Sequence, residues 1–535
     1  MLSHPAAGKD RLAIATSTPF DVVVIGGGII GCGIARDAAL RGLRVGLFER
    51  ADFGSGTTSA STRIVHGGLR YLEMLDFRLV RLDLRERETL LRIAPHLVQP
   101  LEFIIPFFPG GPVSPLKLRL GLTLYDALSF DRSLPRHRIL GAAAARGADE
   151  ALRNTDVTGA AAYYDARVDL PERLSLENVL DAEGHGAVAL NYCEVLSTRL
   201  ANGVASGVRV RDVLTGVEGD VTSRVVVNAT GAWWERVAEA QTGRRRGRVR
   251  TTKGVHLVCP PLTNRALVIF SDVDRRLMFA IPRGGQTWIG TTDTDYDGDP
   301  AQVRADRADA EYLLASVRHL FPSLTMDSVL YTTAGVRALV TKEGSASSVS
   351  RMHKVVSDDP VPGVVSVLGG KITGYRAIAE DVTDAVCRSV SVARRCATAD
   401  TPLPGARRGT ASSAAAGLAG TDPPSFMQAL YGSRATEVTA LAETSEELAR
   451  PLSARYPDIG AQVAFSVRTE HTVRVSDFIR RRTMLGASAD QGWDAAPRVA
   501  QLMAAELGWS SERTVAEIEA FRRDIASTRA FKEDR

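Results

Sequence analysis

The sequence predicts an α/β protein with three parts: a doubly wound, Rossmann-like dinucleotide-binding domain that is discontinuous in sequence, a mostly antiparallel β substrate domain, and a C-terminal helical domain. Three observations predict it. A glycine-rich turn joins an apolar strand to a helix near the start of the chain. Apolar strands ending in glycine return at Arg224 to Gly231 and at Val364 to Gly370. Beyond residue 425 the composition shifts to Ala, Glu and Arg in helical spacing. At 535 residues, 44% apolar and 24% charged, the chain has globular composition and is too long for one core.

Residues 1–19 mix Lys9, Asp10 and Arg11 with small residues and lack a signal-peptide core, so they read as a flexible tail. Asp21 to Ile25 then reads as a strand, Gly31 to Arg41 as a helix and Arg44 to Glu49 as a second strand. Between the first two, Gly26, Gly28 and Gly31 form G-x-G-x-x-G. Such a turn closes tightly, brings backbone N–H groups and a helix N-terminus to a pyrophosphate, and lets helix and sheet pack closely. Glu49, ending the next strand, is placed to bind a ribose hydroxyl and disfavours a 2′-phosphate. No second such turn occurs, so one dinucleotide is expected, and these residues leave FAD and NAD both open.

The three strand-and-glycine elements divide the chain. Residues 20–100, 166–252 and 332–400 are expected in the dinucleotide domain, and 101–165 and 253–331 in the substrate domain. The latter contains strand-like runs at Arg276 to Ile281 and Thr287 to Thr291 around a Pro-Arg-Gly-Gly turn. Residues 401–424, opening Thr-Pro-Leu-Pro-Gly and continuing in Arg, Gly, Ser and Ala, have linker composition, and 425–535 are expected to be helical.

Bulk properties exclude several classes. A net charge of +4 with interleaved signs does not argue for nucleic acid. The five cysteines, Cys32, Cys193, Cys259, Cys387 and Cys396, are scattered without a C-x-x-C pair. They match neither a disulfide framework nor a zinc or iron–sulfur pattern, so no metal is expected and a reducing compartment is. No apolar run reaches bilayer-spanning length, since even Val22 to Ala35 is broken by five glycines.

The stretch Thr57-Thr58-Ser59-Ala60-Ser61-Thr62-Arg63-Ile64-Val65-His66-Gly67-Gly68-Leu69-Arg70-Tyr71-Leu72-Glu73 resembles the signature of flavin-dependent glycerol-3-phosphate dehydrogenases. The resemblance continues through Asn228 to Trp233, Lys253 to His256, Ile289 to Asp293, Gly335 to Arg337, Gly369 to Arg376 and the C-terminal Ser476 to Thr483. Two positions depart from the family pattern: Ile30 stands where the family has a polar Asn, and Gly374 where it has Thr beside the flavin.

The resemblance implies FAD as cofactor and oxidation of glycerol 3-phosphate to dihydroxyacetone phosphate by hydride transfer to the flavin. It nominates His66 and His256 as candidate bases, and Arg337 to stabilise alkoxide character. Arg70, Tyr71, Arg351 and Lys371 are nominated for the substrate phosphate. Flavin contacts are expected from Thr58, Ser59, Ser61, Gly231, Thr292, Asp293, Gly369, Gly370 and Thr373, with the dinucleotide turn and Glu49. The family further implies electron transfer to a membrane quinone, a homodimer, and a cytoplasmic protein held peripherally on the inner face of the cell membrane. Two stretches are candidates for an anionic bilayer: Arg244, Arg245, Arg246, Arg248 and Arg250, and the apolar-basic run Leu116 to Leu128 with Lys117 and Arg119. An oxidase that passes electrons to oxygen and releases hydrogen peroxide, and a flavin-bearing scaffold without catalysis, stay open as alternatives.

Overall fold

The computed structural model describes residues 11–112, 114–341, 352–407 and 423–533. Two sheets carry the molecule, and the functional cavity lies between them. The first has the order Lys354–Ser357, Val364–Leu368, Glu218–Asn228, Phe20–Ile25, Val45–Phe48, Val188–Leu190. Its pairs from Val364–Leu368 through Val188–Leu190 are parallel. Parallel strands are covered by helices on both faces, which is why these segments read as unbroken apolar runs; Val22, Val23 and Val24 are all fully buried. The helices Ile29–Leu40, Pro171–Gly184 and Tyr375–Val390 pack together on one side. The turn before the first of them works as its spacing predicts: Gly26 has φ +102, and a Cβ on Gly31 would collide with the Gly26 carbonyl.

The second sheet runs Thr294–Asp295, Val249–Cys259, Gln286–Gly290, Leu277–Arg283, Ala266–Phe270, Val98–Phe107, Gly159–Val168, Ile64–Val65. Tyr331–Val340 also pairs with Val249–Cys259, and Arg138–Gly141 with Gly159–Val168. Its pairs are antiparallel except Ala266–Phe270 with Val98–Phe107. The expected class, a discontinuous doubly wound domain with a mostly antiparallel partner and a helical C-terminal domain, is borne out.

Several expected boundaries are not. Tyr331–Val340, all but its first residue inside the expected 332–400 segment of the dinucleotide domain, pairs in register with Val249–Cys259 from Val249↔Val340 to Val258↔Tyr331 and belongs to the second sheet. Ile64–Val65, inside the expected 20–100 segment, also pairs there, with Arg167 and Ala166. A strand's sheet is decided by its distant partner, which the local pattern does not carry. The tail is likewise revised from residue 11 onward, the first ten lying outside the described residues. Arg11–Ser17 is a helix whose Leu12 and Ala15 are buried against the first sheet, and Arg11 donates to the Asn191 carbonyl at 2.7 Å and pairs with Asp212. The start of the expected linker is also packed: Leu403 is buried and the Gly405 N–H donates to Glu177 at 2.9 Å. Residues 408–422 of that segment lie outside the described residues.

The C-terminal domain contains the helices Pro423–Tyr431, Ala435–Ala442, Gly460–Thr469, Ala496–Leu507 and Ser511–Ser527, with a small hairpin of Pro451–Ser453 and Tyr456–Ile459. Buried ion pairs dock it. Arg173, on the helix Pro171–Gly184, donates to both oxygens of Glu470 at 3.0 and 3.1 Å, with both side chains fully buried. Breaking a buried pair by removing one charge costs about 3–5 kcal/mol, because the other charge stays buried and uncompensated. Glu470 also accepts from Arg434 at 2.9 Å, so Glu470→Gln should lower the urea midpoint markedly, and the double variant Arg173→Met/Glu470→Gln should recover only the share due to Arg173. Tryptophan fluorescence in urea titrations of the three chains measures this.

Candidate functional site

A cavity of about 1650 Å³ opens between the two sheets. At one end it is lined by the dinucleotide turn. Gly26 and Gly28 face it, and the helix Ile29–Leu40 begins there with a backbone N–H turned to Thr58, whose Oγ1 accepts from Ile29 at 3.1 Å. Glu49 also lines it. Its carboxylate accepts from the Gly27 and Ala51 N–H groups at 2.7 and 2.8 Å; burial nonetheless raises its pKa. A glycine turn, a helix N-terminus and a carboxylate on the next strand are what a dinucleotide's pyrophosphate and ribose require, so the residues fit the group.

From there the loop carrying the long motif crosses to the second sheet. Ser59 and Ser61 line the cavity, the Ser59 hydroxyl donating to the Ser55 carbonyl and the Ser61 hydroxyl accepting from the Arg63 N–H at 3.3 Å. Gly231, Gly369 and Gly370 face the same space, the last two with φ +70 and +104, a backbone path that favours glycine. Asp293 lines it as well. Thr292 and Thr373 do not: both are buried outside the cavity wall, and their hydroxyls accept from the Val255 and His66 N–H groups at 3.0 and 3.2 Å. These two hold the backbone of the site and are withdrawn as direct flavin contacts. Gly31 is also behind the wall, in its packing role. Arg351 lies outside the described residues.

The remaining predicted residues converge. His66, Arg70, Tyr71, His256, Arg337 and Lys371 all line this cavity, although they come from four separate stretches of chain. The Lys371 ammonium stands 4.5 Å from the centre of the Tyr71 ring, and the Arg70 guanidinium 5.6 Å from the same ring. Arg337 is aimed by its own strand partners, donating to Asp293 Oδ1 and the Thr292 carbonyl at 3.1 Å and to Thr291 Oγ1 at 3.0 Å. Its guanidinium lies over Gly254, where any Cβ would collide with it.

The cations set the histidines. Burial, then Lys371 and Arg70, push the His66 imidazole down to about 3. Burial, then Arg337 and Arg63, do the same for His256, also to about 3. Both rings are neutral at pH 7 and able to accept a proton. His256 Nε2 lies 3.1 Å from Thr62 Oγ1. The site therefore combines neutral bases, a cationic subsite and a place for a dinucleotide, as proton abstraction coupled to hydride loss requires.

Two acids absent from the predicted set support it. Asp83, on the helix Phe77–Ile93, pairs with Lys371; burial raises its pKa to about 7 even against that ammonium. Asp165 accepts from Tyr125 Oη at 2.9 Å, from Arg87 at 2.6 Å and from the Gly67 N–H at 3.4 Å, which fixes the backbone next to His66. The signal for Asp83 was present: an acid on the apolar stripe formed by Leu79, Val80, Leu84 and Leu90 must have a buried partner.

Comparison with known proteins agrees with this geometry. Residues 21–380 match the family model "FAD dependent oxidoreductase", and residues 396–514 match "C-terminal domain of alpha-glycerophosphate oxidase". The chain is 38% identical to a glycerol-3-phosphate dehydrogenase of Synechocystis sp., covering 94% of this chain and 96% of that one. It is 33% identical to the aerobic glycerol-3-phosphate dehydrogenase of Bacillus subtilis, covering 90% and 91%. The crystal structure of the glycerol-3-phosphate dehydrogenase of Bacillus halodurans complexed with FAD superposes with a TM-score of 0.79 at 30% identity over 99% of both chains.

The depressed histidines fix the sign of an acid response. A free imidazole titrates near 6.5, so between about pH 6.5 and 3 the unfolded chain binds protons that the folded chain refuses. The stability tied to the neutral rings is fully present above pH 6.5 and is lost as pH falls toward 3. His256→Asn should flatten the fall of unfolding free energy with pH by up to one proton per molecule. Urea titrations at intervals from pH 4 to 7, wild type against variant, measure the slope.

Proposed function

Because the chain belongs to the family of FAD-dependent glycerol-3-phosphate dehydrogenases, we propose that it oxidises the secondary alcohol of glycerol 3-phosphate to dihydroxyacetone phosphate and passes the electrons to a membrane quinone. The observation that carries the reading is the convergence of Arg70, Lys371 and Arg337 with two neutral histidines in the cavity that begins at the dinucleotide turn.

FAD, held by the glycine turn, Glu49 and the loop from Thr58 to Ser61, supplies the acceptor for the hydride leaving carbon 2. The chain's own residues do the rest. Arg70 and Lys371 take the phosphate as a fork and a point charge, with Tyr71 as the apolar floor beneath both. This anchors one end of a short, flexible triol derivative and leaves its central hydroxyl facing the histidines. A neutral imidazole accepts the hydroxyl proton, and Arg337 stabilises negative charge on the oxygen as the C–H bond weakens. Where the wall is buried, as around His256, charge interactions count for more than they would in solvent.

For the acceptor, an exposed apolar ridge supports the membrane reading. On the helix Pro115–Leu128, Leu116, Leu120 and Leu124 recur every fourth residue on one face, and the first two are 69% and 65% exposed. Leu75 and Phe130, 71% and 76% exposed, are further large apolar groups at its margins. Lys117, Leu120 and Leu124 also line the cavity, so the ridge adjoins the reactive space. Large exposed apolar patches beside basic residues suit a bilayer surface. Among the described residues no helix is long and apolar enough to cross a membrane. The other candidate stretch is less suited, because its arginines have partners: Arg250 with Asp295 at 2.6 Å, Arg246 with the Pro360 carbonyl at 2.9 Å, and Arg245 and Arg248 with Glu239 and Asp359.

Anaerobic glycerol 3-phosphate should bleach the bound flavin, and glycerol should not. A charge-assisted hydrogen bond contributes roughly 1.5–3 kcal/mol. Lys371→Met or Arg70→Ala should accordingly raise the Michaelis constant about tenfold or more, and unchanged constants in both would remove the phosphate assignment. In turnover with a quinone analogue in air, reduction of the analogue should exceed peroxide release; the reverse result identifies the oxidase. Replacing Leu116, Leu120 and Leu124 by Ser should abolish co-sedimentation with anionic liposomes while leaving flavin bleaching intact.

A further inference from the structure

The cavity continues past His256, along the face of Tyr331–Val340, to the seam with the C-terminal domain, where Arg63, Glu172, Arg283, Trp288, Tyr331 and Arg480 line it. The charges there do not close. Arg63 is neutralised, since both oxygens of Glu172 accept from it at 2.6 and 2.8 Å. Arg283 is buried, 7% exposed, with its guanidinium 4.5 Å from the centre of the Trp288 ring. Its acceptors are the Asp169 carbonyl at 2.8 and 3.2 Å and the Met484 sulfur; no carboxylate pairs with it among the described residues. Arg480 is half-buried at the same seam. Its neighbours Arg481 and Arg482 both engage Asp52, while Arg480 has no hydrogen bond or ion pair among the described residues, Asp524 being the acid that acts on it. Burial and the nearby Arg63 push the Arg283 guanidinium down to about 9, the mark of a cation lacking its counter-ion.

Two buried donors point the same way. Tyr331 is 1% exposed and its Oη has no partner among the described residues; Trp288 is 6% exposed and its Nε1 has none. Burial raises the Tyr331 phenol to about 12, against the pull of Arg283, Arg480 and Arg63, and its ring stands 6.4 Å from that of Trp288 between centroids. A buried donor without an acceptor costs free energy, and native interiors leave few of them. What would satisfy all four groups at once is a set of acceptor oxygens with negative charge: guanidiniums bind carboxylate and phosphate as forks, and the phenol and indole N–H each add one donor.

We propose that this seam is an anion site, distinct from the Arg70–Lys371 subsite, that takes a small oxyanion of the carboxylate or phosphate class between Arg283, Arg480, Trp288 and Tyr331. The proposal does not depend on which alcohol the enzyme oxidises. Its position links it to the chemistry, because the Trp288 and His256 rings lie 6.3 Å apart between centroids, so an occupant is separated from a candidate base by a single indole.

The test uses the FAD-loaded full chain carrying Lys371→Met, which weakens the substrate's own phosphate subsite. Inorganic phosphate and, separately, succinate are titrated by calorimetry, with tryptophan fluorescence in parallel. At least one of the two should bind in a saturable manner, and which one identifies the ligand's chemistry. Adding Arg480→Gln should weaken that binding at least tenfold with FAD content unchanged, and Trp288→Phe should remove the fluorescence response. Tyr331→Phe, a milder change, should weaken binding severalfold and stands in if Arg480→Gln does not fold. Saturable binding of neither anion, equal affinity with and without the Arg480 change, or release of FAD by that change would overturn the proposal, the last by showing that the seam belongs to the flavin.

Discussion

Asp52 ends the strand-and-turn segment that begins with Glu49, and Arg481 and Arg482 of the C-terminal domain close on its carboxylate at 2.5 and 2.9 Å. Burial opposes ionisation of Asp52, but the two guanidiniums outweigh it and hold the carboxyl far below its ordinary range. This junction fixes the start of the loop that carries the long motif. Its other end is fixed in the same way, by Arg63 on Glu172, and the helix bearing Glu172 is itself tied to the C-terminal domain through Arg173 and Glu470. The loop between these anchors lines the cavity with Thr58, Ser59 and Ser61, and it delivers the chain to His66 just beyond Arg63. Such pairs contribute little net stability over apolar packing, but each is costly to break. They make the position of the loop a matter of all or nothing, which a site for hydride transfer requires.

The same economy of charge runs through the cavity. Arg70, Lys371 and Arg337 are partly buried cations of the cavity wall, and each is steadied by its neighbours. Lys371 rests on Asp83, Arg337 on Asp293, and both Arg70 and Lys371 on the face of Tyr71. With burial and the cations beside them the histidines rest neutral, and a neutral imidazole is the form that can remove a proton. One arrangement thus serves substrate anchoring and base chemistry together.

Legibility in the sequence followed the range of the interactions. The strand, glycine turn and helix at the start are local and were read with their spacing intact. The cluster of His66, Arg70, Tyr71, His256, Arg337 and Lys371 was legible through its resemblance to a known family, since no local pattern brings residue 66 beside residue 371. What escaped was decided by long-range pairing. Nothing in the local pattern of Tyr331–Val340 names its sheet, and its ladder with Val249–Cys259 is what assigns it to the second. Thr292 and Thr373 lie beside cavity-lining residues in sequence, yet in the loop after Gln286–Gly290 and the turn before Tyr375–Val390 their hydroxyls meet backbone behind the wall. Arg11–Ser17 reads as a tail because what holds it, the burial of Leu12 and Ala15 and the bonds of Arg11 to Asn191 and Asp212, is supplied by residues far along the chain.

The two departures from the family pattern, Ile30 and Gly374, take on physical meaning together. A Cβ on Gly370 would sit 3.1 Å from Ile30 Cδ1 and 2.8 Å from Ile378 Cδ1, so Ile30 fills apolar space against a glycine that lines the cavity. It brings no donor or acceptor there, and whatever polar contact an Asn would make at that point must come from backbone. Gly374 precedes the helix Tyr375–Val390, and a Cβ there would lie 3.6 Å from Asp83 Oδ1. A Thr at this position would bring a hydroxyl within reach of that carboxylate and share it with Lys371. With glycine, the charge of Asp83 answers to the ammonium without a competing hydroxyl from residue 374, and burial can raise its pKa to about 7. The glycine therefore leaves Lys371 as the group paired with Asp83, while burial raises that carboxyl toward neutrality.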